Sequence, residues 1–302
     1  MTDTDNKIQE ILATFEPYDG VYHRQAVDDA IQLQEEITPH LIVIVQDVAT
    51  NPGKYILNDI ASNIYALMLL AYFQESKAHQ SIVELFSLPE HFIDPLFGDL
   101  ITEDLPSILV QTCGGDVEQI KQLILNKNAY EYCRSGAATA LTYAVIKGYE
   151  SREDAQQFLS TLFTGTEDDN PDSGFWAMIL DDLVNLYPEE LMPVVEKAFA
   201  DDLIDEFFID LDYMRELMAK GEEAMLQRLR EEMEQRAIDD IHTQMSWWAM
   251  FDSEEDDNVA SSSFMPTPSL LNTSTASTSK KKKAKKKNKR KMAKASKKKN
   301  RR

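Results

Sequence analysis

The chain has 302 residues, of which 43% are hydrophobic and 9% aromatic. This apolar share is enough to bury a core and excludes a wholly disordered chain, and 10 glycines with 11 prolines exclude a collagen-like one. The formal net charge is −21, yet the last 23 residues hold 16 Lys or Arg and no Asp or Glu. Residues 1–279 therefore carry 15 basic against 52 acidic residues, a net charge of −37. An acidic body is joined to a strongly basic tail.

Compartment and membrane contact follow from simple features of the sequence. Two cysteines, Cys113 and Cys133, cannot build a disulfide framework and suit a reducing environment. The N-terminus is acidic and polar, which is unlike a secretory signal. The longest apolar runs, 41–45 and 66–73, fall far below the roughly 20 residues that span a bilayer. We expect a cytoplasmic protein that makes no membrane contact.

The apolar pattern predicts helices in pairs. Apolar residues recur at spacings of three and four along most of the chain, without long period-two alternation. The predicted pairs are 25–37 with 39–50, 56–74 with 78–87, 104–112 with 116–125, 130–147 with 152–163, and 174–186 with 189–200. Successive pairs start roughly 30 to 45 residues apart, the period of two-helix solenoid units. The sequence therefore predicts an all-α solenoid of stacked antiparallel helix pairs.

Turn and capping residues support these boundaries. Gly148 follows a predicted helix end, where a left-handed residue is favoured. Ser151 with Asp154 forms an approximate N-terminal capping box. Pro188 opens the next helix at its first turn, where a missing N–H costs little.

The C-terminal part of the body has a different pattern. Residues 210–245 are predicted as one long charged helix with an apolar side, and it ends in Trp247, Trp248 and Phe251. We expect this helix to cap the solenoid, because terminal repeats need a covering element. The three aromatic residues have two interpretations: an exposed anchor for a protein partner, or the plug of the cap. We favour the plug.

Several motifs carry a resemblance to known proteins. Residues 131–138 read Glu-Tyr-Cys-Arg-Ser-Gly-Ala-Ala, a helical turn whose small residues let neighbouring helices approach closely. With Ser151–Asp154, the segment 188–191 and the ending 246–248, this resembles an uncharacterised bacterial family of HEAT-like helical-repeat proteins, domain of unknown function number 1186. The resemblance covers roughly residues 5–251. Members of that family often end in a Cys-rich zinc motif of the SEC-C type, whereas this chain has no cysteine after Cys133.

Three domains follow from these patterns. Residues 1–251 form the predicted helical-repeat domain. Residues 252–279 hold five acids and then a run rich in Ser and Thr, which cannot pack a core and is predicted to be disordered. Residues 280–302 form a disordered Lys/Arg-rich tail.

The tail is the strongest functional signal in the sequence. A dense cationic segment releases counterions from a polyanion, so we expect contact with RNA, the ribosome or DNA. Because the tail has no aromatic residue, this contact is expected to be independent of base sequence. The alternative is that the tail neutralises its own acidic body. The candidate phosphate-binding residues are Lys280, Lys281, Lys282, Lys283, Lys285, Lys286, Lys287, Lys289, Arg290, Lys291, Lys294, Lys297, Lys298, Lys299, Arg301 and Arg302.

Metal and cofactor sites have little support in the sequence. The five histidines are scattered singly, so we expect Cys113 and Cys133 to be small buried side chains and no zinc ligands. Residues 167–174 superficially resemble a calcium loop. Ser173 stands where a glycine is needed and Ile179 where a glutamate is needed, so a turn that caps the next helix explains them better. We predict no metal and no cofactor.

Catalysis is the less favoured class of function. Paired carboxylates such as Asp181 and Asp182 arise by chance among 52 acids, and no nucleotide-binding, hydrolase or metalloprotease motif occurs. We therefore expect a non-enzymatic scaffold with an unknown protein partner. Two alternatives stay open: an enzyme with an acidic, metal-dependent site on the helical body, and a regulatory module whose tail binds that body.

Overall fold

Every regular element in the described part of the chain is a helix. A computed structural model describes residues 2–164, 166, 174–204 and 208–251. The chain divides into residues 1–263 and 264–302, and the second unit lies wholly outside the described residues. Within these ranges the one β-contact is an isolated bridge between Pro17 and Ile60. The all-α prediction is confirmed.

Seventeen α-helices follow one another along the described ranges. The first nine are α1 (Asp3–Phe15), α2 (Arg24–Gln32), α3 (Gln34–Thr50), α4 (Pro52–Leu57), α5 (Ser62–Tyr72), α6 (His79–Phe86), α7 (Glu90–Phe97), α8 (Leu100–Glu103) and α9 (Leu105–Thr112). The other eight are α10 (Glu118–Leu125), α11 (Glu131–Ile146), α12 (Arg152–Ser160), α13 (Phe175–Asn185), α14 (Met192–Ala200), α15 (Leu211–Met218), α16 (Glu222–Arg236) and α17 (Ile241–Met245). Short 3-10 turns lie at Ser76–Ala78, Glu189–Leu191 and Ala249–Phe251.

Four helices form a row through the centre of the molecule. Helices α5, α9, α11 and α13, called the inner helices below, each pack against the next. Helices α3, α6, α10 and α12 pack against this row. All eight residues of α9 are buried, as are ten of the eleven in α5. Helices α1 to α14 are called the array below. A helix that is buried all round lies between layers of structure, so the inner helices form the core of the array.

The Arg-Ser-Gly turn of α11 makes the predicted close contact between helices. A Cβ atom added at Gly136 would lie 3.2 Å from the carbonyl oxygen of Ile101 and 3.3 Å from Leu105 Cδ2. Glycine therefore allows α11 to approach the α8–α9 segment closely. Two residues earlier, the Arg134 side chain is 2% exposed, and its Nε donates to the carbonyl of Ile124 at 2.9 Å.

Most of the predicted helices lie where the sequence places them, and one of the exceptions is an unpredicted break near Asp59. Residues 56–74, predicted as a single helix, are divided between α4 and α5. Asp59 adopts a left-handed conformation with φ 49°. The chain at the break pairs with the loop after α1: the Tyr18 N–H donates to the Asp59 carbonyl and the Ala61 N–H to the Glu16 carbonyl, both at 2.9 Å. These bonds join distant parts of the chain, so the local pattern does not contain them.

The first predicted pair also has a shifted boundary. The two helices meet at Leu33, whereas the sequence placed the junction before Pro39. Pro39 lies inside α3. Helices α1, α7 and α8 had no counterpart among the predicted pairs. None of the helices in the described ranges is long and apolar enough to cross a membrane.

The predicted long helix over 210–245 is three helices. Gly221, with φ 86°, separates α15 from α16, and residues 237–240 separate α16 from α17. The Asp240 carboxylate accepts hydrogen bonds from the N–H groups of His242 and Thr243 and so caps the start of α17.

The C-terminal helices run back along the array. Helix α16 packs on α11 and α13, and α17 packs on α5. Residues 222–251, called the strap below, therefore pass from the last inner helix to the first one. The strap covers a face along the row of inner helices as well as its last member.

Candidate functional site

The strap is held to the array by an apolar side. Its most buried side chains are at most 1% exposed; they are Met225, Leu229, Ile238, Ile241 and Met245. The first four belong to the apolar side that the sequence predicted for this segment. Met225 and Leu229 lie four residues apart on α16 and so share the face that packs on the array, whereas Ile238 is buried from the segment between α16 and α17.

The end of the strap docks onto the loop that precedes α2. His242 Nδ1 lies 2.8 Å from the hydroxyl of Tyr22, and its Nε2 lies 2.9 Å from Asp28 Oδ1. The Phe251 ring packs against the rings of Tyr22 and Tyr65, with centroids 5.4 and 5.7 Å apart. These contacts join residues that are more than 180 positions apart in sequence. They fix the end of the body beside its beginning.

The three aromatic residues at the end of the strap have separate roles. Phe251 is 9% exposed and packs into the aromatic cluster with Tyr22 and Tyr65, near the first inner helix. Trp248 is half-buried and stacks on Phe251 with ring planes 6° apart. Trp247 is 71% exposed. Of the three aromatic side chains, Trp247 is thus the most exposed.

The Tyr22–His242–Asp28 arrangement has the outline of a nucleophile, a base and an orienting carboxylate. Its electrostatics favour a different role. Burial raises the pKa of Tyr22 above its usual range, which disfavours the phenolate that a nucleophile would need. Burial likewise raises the pKa of neighbouring Tyr65 to about 12. We therefore interpret the arrangement as a docking contact.

The middle of the strap makes polar contacts with α8 and with the inner helices α9 and α11. Arg236 donates to the Thr102 carbonyl at 2.8 Å, and the Ile238 N–H donates to Gln111 Oε1 at 3.3 Å. The Tyr143 hydroxyl donates to Glu232 Oε1 at 3.3 Å.

Three carboxyl groups of the array lie against the strap: Asp104 and Asp182 are buried, and Asp181 is half-buried. Asp104 is 2% exposed and accepts a hydrogen bond from Gln244 Nε2 at 2.6 Å. Asp182 is 5% exposed. The Oδ1 atom of Asp181 is shielded from solvent and has no hydrogen-bond partner among the described residues. Such groups are costly to bury in the charged form.

Burial changes the acidity of these three groups. It raises the pKa of Asp104 to about 6 and that of Asp181 to about 7. The pKa of Asp182 is raised well above its usual range by burial and by the adjacent Asp181 carboxyl. All three shifts favour the protonated, neutral acid in the folded protein.

The sequence alone indicates no role for Asp181 and Asp182, because adjacent carboxylates arise by chance among 52 acids. The sequence gives one weak signal of their burial, because both lie within the apolar segment 175–186. His242 was likewise counted as a scattered histidine. Its two partners come from a loop and a helix near the N-terminus, which no local pattern could indicate.

The structure places other predicted residues as follows. Cys113 and Cys133 are free and buried, as expected, and burial raises the pKa of both thiols. The part of the chain that the structure describes contains no group of three His, Cys, Asp or Glu side chains arranged to hold a metal ion. Residues 167–173 of the calcium-like segment, the linker 252–279 and all 16 tail cations lie outside the described residues.

The fold and the strap define an all-α helical-repeat protein whose C-terminal helices return along its inner row. The chain belongs to the family described as "Protein of unknown function (DUF1186)", which matches residues 6–252. The predicted resemblance is thereby confirmed, and the match ends where the acidic linker begins.

Two relatives come from Chlamydia, and each is described as "Uncharacterized protein". One, from Chlamydia trachomatis serovar D, is 32% identical over 207 residues, covering 68% of this chain and 82% of the relative. The other, from Chlamydia muridarum, is 31% identical over 244 residues, covering 80% of this chain and 96% of the relative. The comparison with solved structures finds no match.

Proposed function

We propose that this protein acts by binding and not by catalysis. The helical body binds a protein partner, and the basic tail tethers that body to RNA, free or within the ribosome. The observation that carries the proposal is the charge separation: 16 cations and no acid in residues 280–302, against a net charge of −37 in residues 1–279. Phosphate contact is expected to lie in the tail, because the acidic body repels a polyanion.

The tether works by raising local concentration. Each phosphate that a Lys or Arg side chain neutralises releases counterions, so binding is favourable but falls steeply with salt. Such a contact is weak and independent of sequence. It holds the helical body near the RNA, where a second binding event becomes effectively intramolecular. The family match ends at residue 252, which supports separate roles for the body and the tail.

Trp247 is the proposed anchor for the protein partner. Its neighbour Trp248 stacks on Phe251, which is held in the aromatic cluster, so the chain that carries Trp247 is fixed while its ring stays exposed. A large aromatic side chain presented from a fixed backbone loses little entropy on binding. Such residues are enriched among those that dominate binding energy at protein interfaces.

The tether is tested by salt-titrated binding of an unstructured, fluorescently labelled RNA to the full chain. We expect the logarithm of the affinity to fall linearly with the logarithm of the salt concentration. Replacing all 16 tail cations with Gln should abolish binding. Replacing every second one should reduce the slope to roughly half, because the slope counts the neutralised phosphates.

The matched control is a tail of identical composition in scrambled order. It should bind with the same affinity and slope, because the proposed contact depends on charge and not on tail sequence. Single-stranded DNA of equal length should compete. If the Gln-substituted chain binds RNA as the natural chain does, or if neither binds at low salt, the tether proposal is wrong.

A further inference from the structure

Asp104, Asp181 and Asp182 occupy one consistent place in the fold, between the inner helices and the strap. Asp104 precedes α9 and bonds to Gln244 of α17. Asp181 and Asp182 lie on α13, which packs against α16. All three carboxyls belong to the array, and elements of the strap lie against each.

The charged and titratable neighbours of these carboxyls come from four elements. Helix α16 contributes both signs of charge, α11 contributes a phenol that bonds to α16, α8 contributes an acid, and α13 contributes the adjacent carboxyls themselves. These neighbours are Arg228, Glu232, Arg236, Tyr143 and Glu103. Thr139 of α11 adds a hydrogen bond to Asp182.

The acids of the array and the strap face each other across this interface. Glu232 lies close enough to interact electrostatically with both Asp181 and Asp182. Arg236 is shared: it donates to the Thr102 carbonyl and lies 3.8 Å from Glu232. If Asp181, Asp182 and Glu232 were all ionised, their carboxylates would repel one another, with little solvent to screen the charges.

We propose that the strap is a proton-linked latch, which lies closed on the inner helices while the carboxyls beneath it are protonated and loosens when they ionise. The moving element is residues 222–251, and its release would leave the inner helices in place. The face uncovered in this way is polar as well as apolar, since it presents Asp104, Gln111 and Tyr143. A face of that kind can be exposed without becoming wholly hydrophobic.

The sign of the effect follows from where the protons bind. In the closed state burial raises the pKa of Asp104 to about 6 and of Asp181 to about 7. When the strap is open, both groups are solvated and return toward their ordinary value of 3.8. The closed state therefore binds more protons. The stabilisation of the closed state by these protons is complete below pH 3.8, falls as the pH rises, and is lost above the closed-state pKa values.

The size of the effect is measurable. A change from pH 5 to pH 7.5 should raise the ratio of open to closed molecules about tenfold through the ionisation of Asp104 alone. The ionisation of Asp181 adds to this increase. The opening would also release residues 241–251, which carry Trp247. The fixed anchor would thus be released more often at neutral pH than at acidic pH.

The test is hydrogen exchange of the full chain at pH 5 and pH 7.5, expressed as protection factors so that the intrinsic pH dependence of exchange is removed. We expect at least a tenfold loss of protection at pH 7.5 in residues 222–245, including the Ile238 amide. Amides of α11 serve as the internal reference for global unfolding and should stay protected at both values.

Two variants identify the responsible groups. Asp104→Asn and Asp181→Asn replace a neutral acid with a neutral amide of the same shape, so each should raise strap protection at pH 7.5 and flatten its pH dependence. Asp212→Asn is the matched control, because that side chain is 91% exposed. The latch is refuted if strap protection is equal at the two pH values, if all three variants behave alike, or if α11 loses protection together with the strap.

Discussion

Arg134 shows how a single residue joins two contacts inside the array. Its guanidinium carbon lies 3.8 Å from the centroid of the Phe175 ring, and its Nε donates to the Ile124 carbonyl. The side chain is fully enclosed by α10, α11 and α13. A planar guanidinium can stack on an aromatic face and donate in its own plane at the same time, which an ammonium group cannot do.

Arg134→Lys tests this double contact. We expect the free energy of unfolding to fall by about 2 kcal/mol, because lysine keeps the charge but loses the stacking and the in-plane hydrogen bond. Urea denaturation followed by circular dichroism measures the change. Arg230→Lys, at a more exposed position of the strap, is the control and should change stability by less than about 0.5 kcal/mol. Equal effects of the two substitutions would contradict the assigned role of Arg134.

The role of a residue could be predicted from the sequence where the signal is local. It could not be predicted where the role depends on distant parts of the chain. The Ser151 hydroxyl accepts a hydrogen bond from the Asp154 N–H and so caps α12, as the sequence predicted. Asp181 and Asp182 were set aside as a chance pair. Whether a carboxyl on a helix faces water or another helix depends on what covers it, and here the cover comes from α16, about 50 residues further along the chain.

At the scale of elements, α11 is the helix on which the array is assembled. It packs against α9, α10, α12, α13 and α16. The close approach at Gly136 is what brings it to the α8–α9 segment. Since any side chain there would meet a backbone carbonyl at 3.2 Å, the contact depends on glycine.

Gly136→Val should therefore separate two helices. We expect a loss of about 2 to 3 kcal/mol of unfolding free energy, because the added methyl groups overpack a buried contact with backbone. The matched control is Gly53→Val, since a Cβ atom at Gly53 has nothing within 4 Å. Thermal unfolding of both variants beside the natural chain measures the difference. A stable Gly136→Val protein would show that the helices can move apart at little cost.

Element type was more predictable than element ends. The predicted helices 78–87, 104–112, 116–125 and 130–147 agree with α6, α9, α10 and α11 to within about two residues. The breaks at Asp59 and in residues 237–240 were missed. Each lies where the chain meets a distant segment: the loop after α1 in the first case, and Gln111 on α9 in the second. Local periodicity contains no information about such partners.

The described body is closed by the return of residues 241–251 to the loop before α2. Phe251, Trp248 and His242 join the end of the strap to Tyr22, Tyr65 and Asp28. Phe251 consequently lies near the start of the array and not near its last helix pair. The same geometry leaves Trp247 exposed at that end.

Phe251→Ala and Trp247→Ala separate the plug from the anchor. Phe251→Ala should lower the unfolding free energy by roughly 2 to 3 kcal/mol, because a nearly buried ring leaves an aromatic cluster. Trp247→Ala should change it by less than about 0.5 kcal/mol, because the side chain is mostly in solvent. Urea denaturation of the two variants measures both values. If Trp247→Ala is the more destabilising change, the division of roles between the two residues is wrong.

The sequence by itself determined the fold class, the positions of most helices, the burial of the cysteines, the family and the opposite charges of body and tail. These are properties of local pattern and composition, so they need no knowledge of distant contacts. Only the tertiary structure decided that the last helices return along the inner row, that Trp247 is exposed while Phe251 is buried, and that three carboxyls lie beneath the strap. Those features depend on which surfaces meet. The free energy of burying a side chain is set by neighbours that are far away in the sequence.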